Sequence, residues 1–324
     1  MSEITYREGL RRALHDAMAE DQTVIVLGED VAAAGGAFKV TDGLLERFGE
    51  DRVLDTPISE QAIIGAAIGA AAQGLRPVAE VMFADFAATC FDGIANQLPK
   101  YRYMTGGQVS VPAVVRMANG AGGGYAAQHS QSVENWFLNV PGLKVATPAR
   151  PADAYGLLRA AIDDPDPVLV FEHKGLYNAK EEVGELRRVE LGKAAVVRSG
   201  TDLTVVASQQ MLHRALEAAA GLAAEGIEAT VIDPRTVAPL DVATVLGSVE
   251  ATNRLLVVQE SPAAGSWGAT LVAEVSEQAF ELFDAPPRLL SGEATPIPYA
   301  ASLESHWLPS VERIADAVRA VVEF

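Results

Sequence analysis

The sequence predicts an α/β protein of two domains, each a mainly parallel sheet covered by helices. Three observations lead there. Short β-branched runs alternate with longer alanine-rich stretches of helical period. Some of the short runs, such as LTVVA at 203–207 and LLVVQ at 255–259, are almost wholly apolar, as expected of parallel strands buried on both faces. The chain has 324 residues, which at roughly 100–200 residues per domain gives two.

The elements follow in order. A helix is expected at 4–20, a strand at Thr23–Leu27 and a Gly/Ala loop at Ala33–Ala37. Next come a helix at about 41–48, an extended piece at Val53–Asp55, a helix at 60–73 and a strand at Val78–Met82. Residues 86–103 read as helical, broken at Leu98-Pro99, because an interior proline costs about 3 kcal/mol. The strand Val111–Met117 leads into a Gly-rich loop at Gly120–Tyr125. Lys144–Ala146 (strand), 151–163 (helix) and Val168–Glu172 (strand) complete the first unit. Residues 178–200 are charged and lack an apolar stripe, so they read as a connector with one strand near Ala194–Val197. In the second unit, strands at Leu203–Ala207, Glu228–Ile232, Leu255–Gln259 and Arg288–Leu290 alternate with helices at 211–225, 240–249, 266–282 and 309–322. The expected division is therefore residues 1–180, a linker at 181–197, and residues 198–324. The two halves are not evident sequence repeats.

Composition narrows the function. The net charge of −18 excludes a general binder of nucleic-acid backbone, which needs clustered Lys and Arg. More than half of that charge falls beyond residue 200, after the last lysine, Lys193. An acidic face of this kind keeps a protein soluble or receives a basic partner. The single cysteine, Cys90, excludes an internal disulfide or a multi-cysteine metal site, and with no basic neighbour it reads as a buried small hydrophobe. No apolar run approaches the roughly 18 residues of a membrane span, and the N-terminus lacks a signal-peptide core, so a cytoplasmic protein is expected.

Four segments could carry chemistry. Ser59 and Glu60 open an apolar helix, as a helix cap followed by an acid that complements the dipole. That helix has a face of small residues, including Gly65, Ala66, Gly69 and Ala70, which suits close packing against another backbone. Residues 120–132, GAGGGYAAQHSQS, match neither a P-loop nor GxGxxG. They are either a flexible surface loop or a substrate-handling loop built around His129. Phe83 and Phe86 read as core on periodicity, while Asp85 at a strand end could face a crevice. The carboxylates of Asp163, Asp164 and Asp166 follow a helix end. They form either a solvated turn or a set of hard oxygen ligands for a cation.

Together, GEDV (28–31), RVLDTPISE (52–60), EVMFADF (80–86), KYRYMTGG (100–107), AAQHSQS (126–132), PGLKV (141–145), AIDDPDPV (161–168), EHKGLY (172–177) and IDPRTVAPLD (232–241) carry a resemblance. In that order the chain resembles the β subunit of the E1 component of 2-oxo acid dehydrogenase complexes, transketolase-like thiamine-diphosphate enzymes. The resemblance implies a pyrimidine-binding domain, a transketolase-type C-terminal domain and an α2β2 heterotetramer with an E1 α subunit. It implies that the α subunit holds the cofactor diphosphate through Mg²⁺ with a GDG motif. No GDG occurs here; Thr41-Asp42-Gly43 and Phe91-Asp92-Gly93 are the nearest. By matching position, Glu60 is the carboxyl expected at N1′ of the aminopyrimidine. There it promotes the imino tautomer that takes the thiazolium C2 proton. Phe86 is expected to pack on the pyrimidine, with Ile58 and Met82 lining the pocket, and His129 to orient the substrate. Ala113, Ala161, Ile162, Asp164 and Asp166 match a structural potassium site. The C-terminal domain is expected to dock the basic subunit-binding module of the E2 lipoyl acyltransferase near Glu281, Asp284 and Phe324. The resemblance leans to pyruvate, with acetoin as the near rival. Met82 stands where branched-chain members carry glutamine. A split transketolase half and a non-catalytic E2-binding scaffold are the alternatives from other classes.

Overall fold

The computed structural model describes residues 2–324. The chain divides into two compact units, and the division is not linear. One unit runs through Asn119 and resumes at Trp136–Leu191; the other joins Gly120–Asn135 to Gly192–Phe324.

In the first unit the strands are Ser2–Thr5 (β1), Val24–Gly28 (β2), Val53–Asp55 (β3), Arg76–Val81 (β4), Val114–Asn119 (β5), Lys144–Ala146 (β6), Val168–His173 (β7) and Lys180–Val183 (β8). The main sheet has the order β6-β7-β5-β4-β2-β3, with every pairing parallel. β2, β5 and β7 are buried at every residue, which is why their sequences lack the alternation of a half-exposed strand. Helices Tyr6–Glu20 (α1), Leu44–Phe48 (α2), Glu60–Ala72 (α3), Tyr101–Met104 (α4) and Pro151–Asp163 (α6) accompany them. α1 starts where the Thr5 hydroxyl caps the amide of Glu8 at 3.1 Å. It buries Tyr6, Leu10, Ala13, Leu14, Ala17 and Met18, a stripe of helical period, and packs against α6. A Cβ on Gly9 would stand 2.4 Å from the carbonyl oxygen of Pro151, so the two helices approach closer there than any other side chain permits.

The helix expected at 86–103 is broken into pieces. A 3₁₀ segment spans Ala84–Cys90, a wide π-type turn spans Asp92–Gln97, and α4 follows. The amide of Leu98 reaches back five residues to the carbonyl of Gly93 at 2.9 Å, and the chain turns at Pro99, whose ring cannot donate to a helix. One pair was not foreseen: β1 and β8 lie antiparallel, Ser2 opposite Val183. Both are short and partly charged, and neither carries an apolar alternation that would announce it.

The second unit holds Ala126–His129 (α5), the strands Ala195–Arg198 (β9), Leu203–Ala207 (β10), Ala229–Asp233 (β11), Thr236–Ala238 (β12), Leu255–Val258 (β13) and Arg288–Leu290 (β14), and the helices Gln209–Ala223 (α7), Val242–Thr252 (α8), Trp267–Ala279 (α9), Ala301–Trp307 (α10) and Val311–Val322 (α11). Its five-stranded sheet runs β14-β13-β10-β11-β9, parallel except for β9 at the edge. The last helix begins at Val311, capped by the Ser310 hydroxyl, and α10 precedes it. No helix among the described residues is long and apolar enough to cross a membrane.

Candidate active site

Glu60 is the first residue of α3, with Ser59 at the N-cap position. The Ser59 side chain makes no capping bond, so the cap is backbone geometry alone. The Glu60 carboxyl is half-buried. The Thr89 hydroxyl lies 3.1 Å from Glu60 Oε2 and 2.8 Å from the carbonyl oxygen of Phe86. One hydroxyl proton is thus shared between two acceptors, and the acid is tied to the turn that carries Phe86. Phe86 in turn stands edge-on to Phe83, ring centres 6.1 Å apart, and Phe83 is edge-on to Phe38. Phe83 and Phe86 are both half-buried, so periodicity overstated their place in the core. Ile58, just before the helix, is 78% exposed, an aliphatic side chain held in the open beside the acid. Met82 follows directly after β4 and lines a small cavity with Phe38, Glu80 and Arg116.

Two neighbours of Glu60 escaped the sequence reading. Glu29, directly after β2, is pushed above the usual carboxylate range, first by burial and then by the charges of Asp30 and Glu60. The GED run at 28–30 was the signal that could have found it. Thr89 carried no signal, because only its place one turn past Phe86 brings it to Glu60. Cys90 is buried, as expected of a small apolar side chain. Its thiol is pushed up to about 12, chiefly by burial and then by the Glu60 charge.

His129 ends α5 in the second unit, whereas Glu60, Ile58, Met82 and Phe86 all belong to the first. Ala113, Ala161, Ile162, Asp164 and Asp166 meet at the end of α6 and the start of β5. The Ala113 carbonyl accepts from the amide of Val168 at 3.1 Å. Arg76 donates to the carbonyls of Ile162 and Asp164 at 2.8 and 3.3 Å. Lys144 donates to both carboxylate oxygens of Asp164 at 2.6 and 2.7 Å, and Arg102 pairs with Asp166. The oxygen atoms have the chemistry of a hard-cation site, and three basic side chains, Arg76, Lys144 and Arg102, already share them. On α3, Gly65 and Gly69 face open space, with nothing within 4 Å of where a Cβ would sit. The packing that would explain these glycines is not made among the described residues.

In the second unit Glu281, Asp284 and Phe324 gather around one apolar groove with Phe280, Phe283 and Pro286. Its volume is about 490 Å³. Phe280 and Phe324 are 78% and 74% exposed, and Asp284 lies 3.5 Å from Arg254.

Two parallel-sheet units, with an acid opening a helix over an aromatic turn, are the plan of a transketolase-type protein. Comparison with known proteins agrees. Residues 2–180 match the transketolase pyrimidine binding domain and residues 192–314 the transketolase C-terminal domain. The chain is 46% identical over 324 residues to the acetoin:2,6-dichlorophenolindophenol oxidoreductase subunit beta of Bacillus subtilis, covering 96% of this chain and 95% of that one. It is 45% identical over 323 residues to the pyruvate dehydrogenase E1 component subunit beta of Rhizobium meliloti, covering 99% and 70%. Among solved structures, a split-gene transketolase described as an inactive β4 tetramer superposes with a TM-score of 0.81 at 26% identity, over 99% of this chain and 98% of that one. The chain belongs to the transketolase-like E1 β subunits of 2-oxo acid dehydrogenase complexes. This family is dependent on thiamine diphosphate.

Proposed function

We propose that the chain is the β subunit of an E1 enzyme that decarboxylates pyruvate and passes the acyl group to the lipoyl group of an E2 acyltransferase, active only with an α subunit. The observation that carries this is the Glu60–Thr89–Phe86 arrangement at the start of α3: an acid and an aromatic ring tied through one hydroxyl. That donor set fits one aminopyrimidine ring. The diphosphate end of the cofactor falls to the α subunit, which holds it through Mg²⁺. Thiamine diphosphate, when bound, supplies the nucleophilic carbon and the electron sink for decarboxylation. Glu60 holds the proton at the pyrimidine N1′, Phe86 packs on the ring, and Ile58 and Met82 line its pocket. His129 orients the substrate. Residues 1–180 serve the pyrimidine and residues 198–324 the docking of E2, with 181–197 as the link. The groove between Phe280 and Phe324, rimmed by Glu281 and Asp284, receives the basic subunit-binding module of E2. The oxygen-rich turn at 161–166 with Ala113 takes a potassium ion.

Acetoin is the second reading, favoured by the acetoin-oxidising relatives of Bacillus subtilis and Cupriavidus necator, both at 46% identity. The enzyme reconstituted with its α subunit is assayed on pyruvate, branched-chain 2-oxo acids and acetoin, with reduction of a lipoyl domain as the readout. Pyruvate turnover with lipoyl reduction is the expected result. Turnover of acetoin alone replaces the substrate assignment, and transfer between sugar phosphates without lipoyl reduction makes the protein a transketolase half. Glu60→Gln lowers kcat at least about a hundredfold, the usual weight of a proton-transfer group. Full activity in that variant makes the chain a scaffold.

A further inference from the structure

The Gly-rich loop of the second unit is held by two buried carboxylates from distant parts of the chain. Glu304 on α10 is 4% exposed and accepts the amides of Gly122 at 2.9 Å and Gly124 at 3.1 Å. Glu260, just past β13, is also buried. It accepts the amide of Ala121 at 2.6 Å and the hydroxyl of Ser132 at 2.9 Å. Gly122 and Gly124 have φ of +93° and +70°, backbone that L side chains rarely adopt and that no regular element can satisfy. The Ala121 side chain closes against Ile297, Trp307 and Leu308. Beyond Ser132, Asn135 donates to the Ser261 hydroxyl at 2.6 Å and accepts the amide of Trp267 at 3.0 Å. Between these anchors lies α5, with His129 at its end.

A carboxylate is costly to bury unless its oxygens are hydrogen-bonded, and bonds to a charged acceptor are the strong ones. A loop rich in glycine is also costly to order. The arrangement meets both costs together: the loop amides bond both oxygens of Glu304 and one oxygen of Glu260, and these bonds hold the loop.

We propose that Glu304 and Glu260 are positioning residues that fix the His129 segment for catalysis. The proposal rests on the reading of His129 as the group that orients the substrate. Glu304 touches neither substrate nor cofactor; it acts by denying the loop its alternative conformations, so that His129 is presented in one place.

The test uses the enzyme reconstituted with its α subunit. Glu304→Ala and His129→Ala are made singly and together, and kcat and KM are measured for the 2-oxo acid turned over. Hydrogen exchange is followed over residues 120–132. Loss of two charge-assisted hydrogen bonds lowers kcat/KM by about tenfold or more in Glu304→Ala. Exchange over 120–132 quickens, and the double variant is no slower than His129→Ala alone. Glu304→Gln keeps one acceptor and the side-chain volume. It falls between wild type and Glu304→Ala in both readouts, and it decides the matter if the alanine variant does not fold. Losses that multiply in the double variant overturn the positioning role. Unchanged exchange in the Glu304 variants overturns the clamp itself. A fully active His129→Ala overturns the reading on which the role depends, whereas the exchange result judges the clamp independently.

Discussion

Cys90 sits one residue past Thr89, close enough to feel the Glu60 charge, yet its thiol is silent. Burial, and the Glu60 carboxylate after it, push the thiol up to about 12, so almost no thiolate exists at neutral pH. The folded chain is expected to resist a disulfide reagent at pH 8, whereas the chain unfolded in guanidinium releases one equivalent of thiol for its one cysteine. Prompt labelling of the folded chain contradicts this. At this scale the sequence was most informative where a residue type has few uses. A lone cysteine with no basic neighbour was legible as packing. Glu60 was placed correctly as the first helical residue, but its tie to Thr89 was not, since that hydrogen bond joins residues 29 positions apart.

At the scale of elements, three neighbouring strands are joined by one buried cluster. Arg116 on β5 donates to Glu80 on β4 at 2.7 Å and to both oxygens of Glu172 on β7 at 2.7 and 2.9 Å. The Tyr177 hydroxyl donates to Glu172 at 2.9 Å. Burial opposes the charge of Arg116, but Glu172 and Glu80 outweigh it and hold the guanidinium above its ordinary pKa. Burial pushes the Glu80 carboxyl up from 4.5, the Arg116 charge opposes this, and the Glu172 charge adds to it. A raised carboxyl pKa favours the folded state while the group is protonated. That contribution is complete below about pH 4.5, the unfolded value, and is lost as pH rises through the elevated folded value. Glu80→Gln is therefore expected to remove this fall in stability. The melting temperature of wild type should drop more between pH 5 and pH 8 than that of the variant, and equal drops contradict the assignment. The turn after α6 makes a second prediction. A potassium ion shared among its oxygens should raise the melting temperature by about 2 °C or more over tetramethylammonium at equal ionic strength. No difference contradicts potassium binding. Strands and helices were mostly legible, because period and buried apolar runs are local signals. The break at Pro99 was legible; the failures were the 3₁₀ and π-type backbone over Ala84–Cys90 and Asp92–Gln97, and the pairing of β1 with β8, which had no apolar pattern to read.

At the scale of the whole molecule, the acidic balance acquires an address. Glu281 and Asp284 rim a groove whose floor is apolar and whose neighbours Phe280 and Phe324 are exposed. A basic partner module would be drawn by charge and held by the aromatic side chains. Its Kd is expected to rise with ionic strength, and Asp284→Lys to weaken binding about fivefold or more at low salt. Binding indifferent to both refutes the electrostatic part of the docking site.

The sequence by itself determined the fold class, the alternation of strands and helices, the acid at the start of α3 and the family. These rest on the identity of each residue and of its near neighbours, which any folded form must respect. Only the tertiary structure decided which unit carries residues 120–135. They lie between strands of the first unit in sequence. They join the second because Glu260, Ser261, Trp267 and Glu304 hydrogen-bond them. No local pattern encodes that choice, since each of those bonds spans more than a hundred residues and forms only when a buried carboxylate, amide or hydroxyl has no water to turn to.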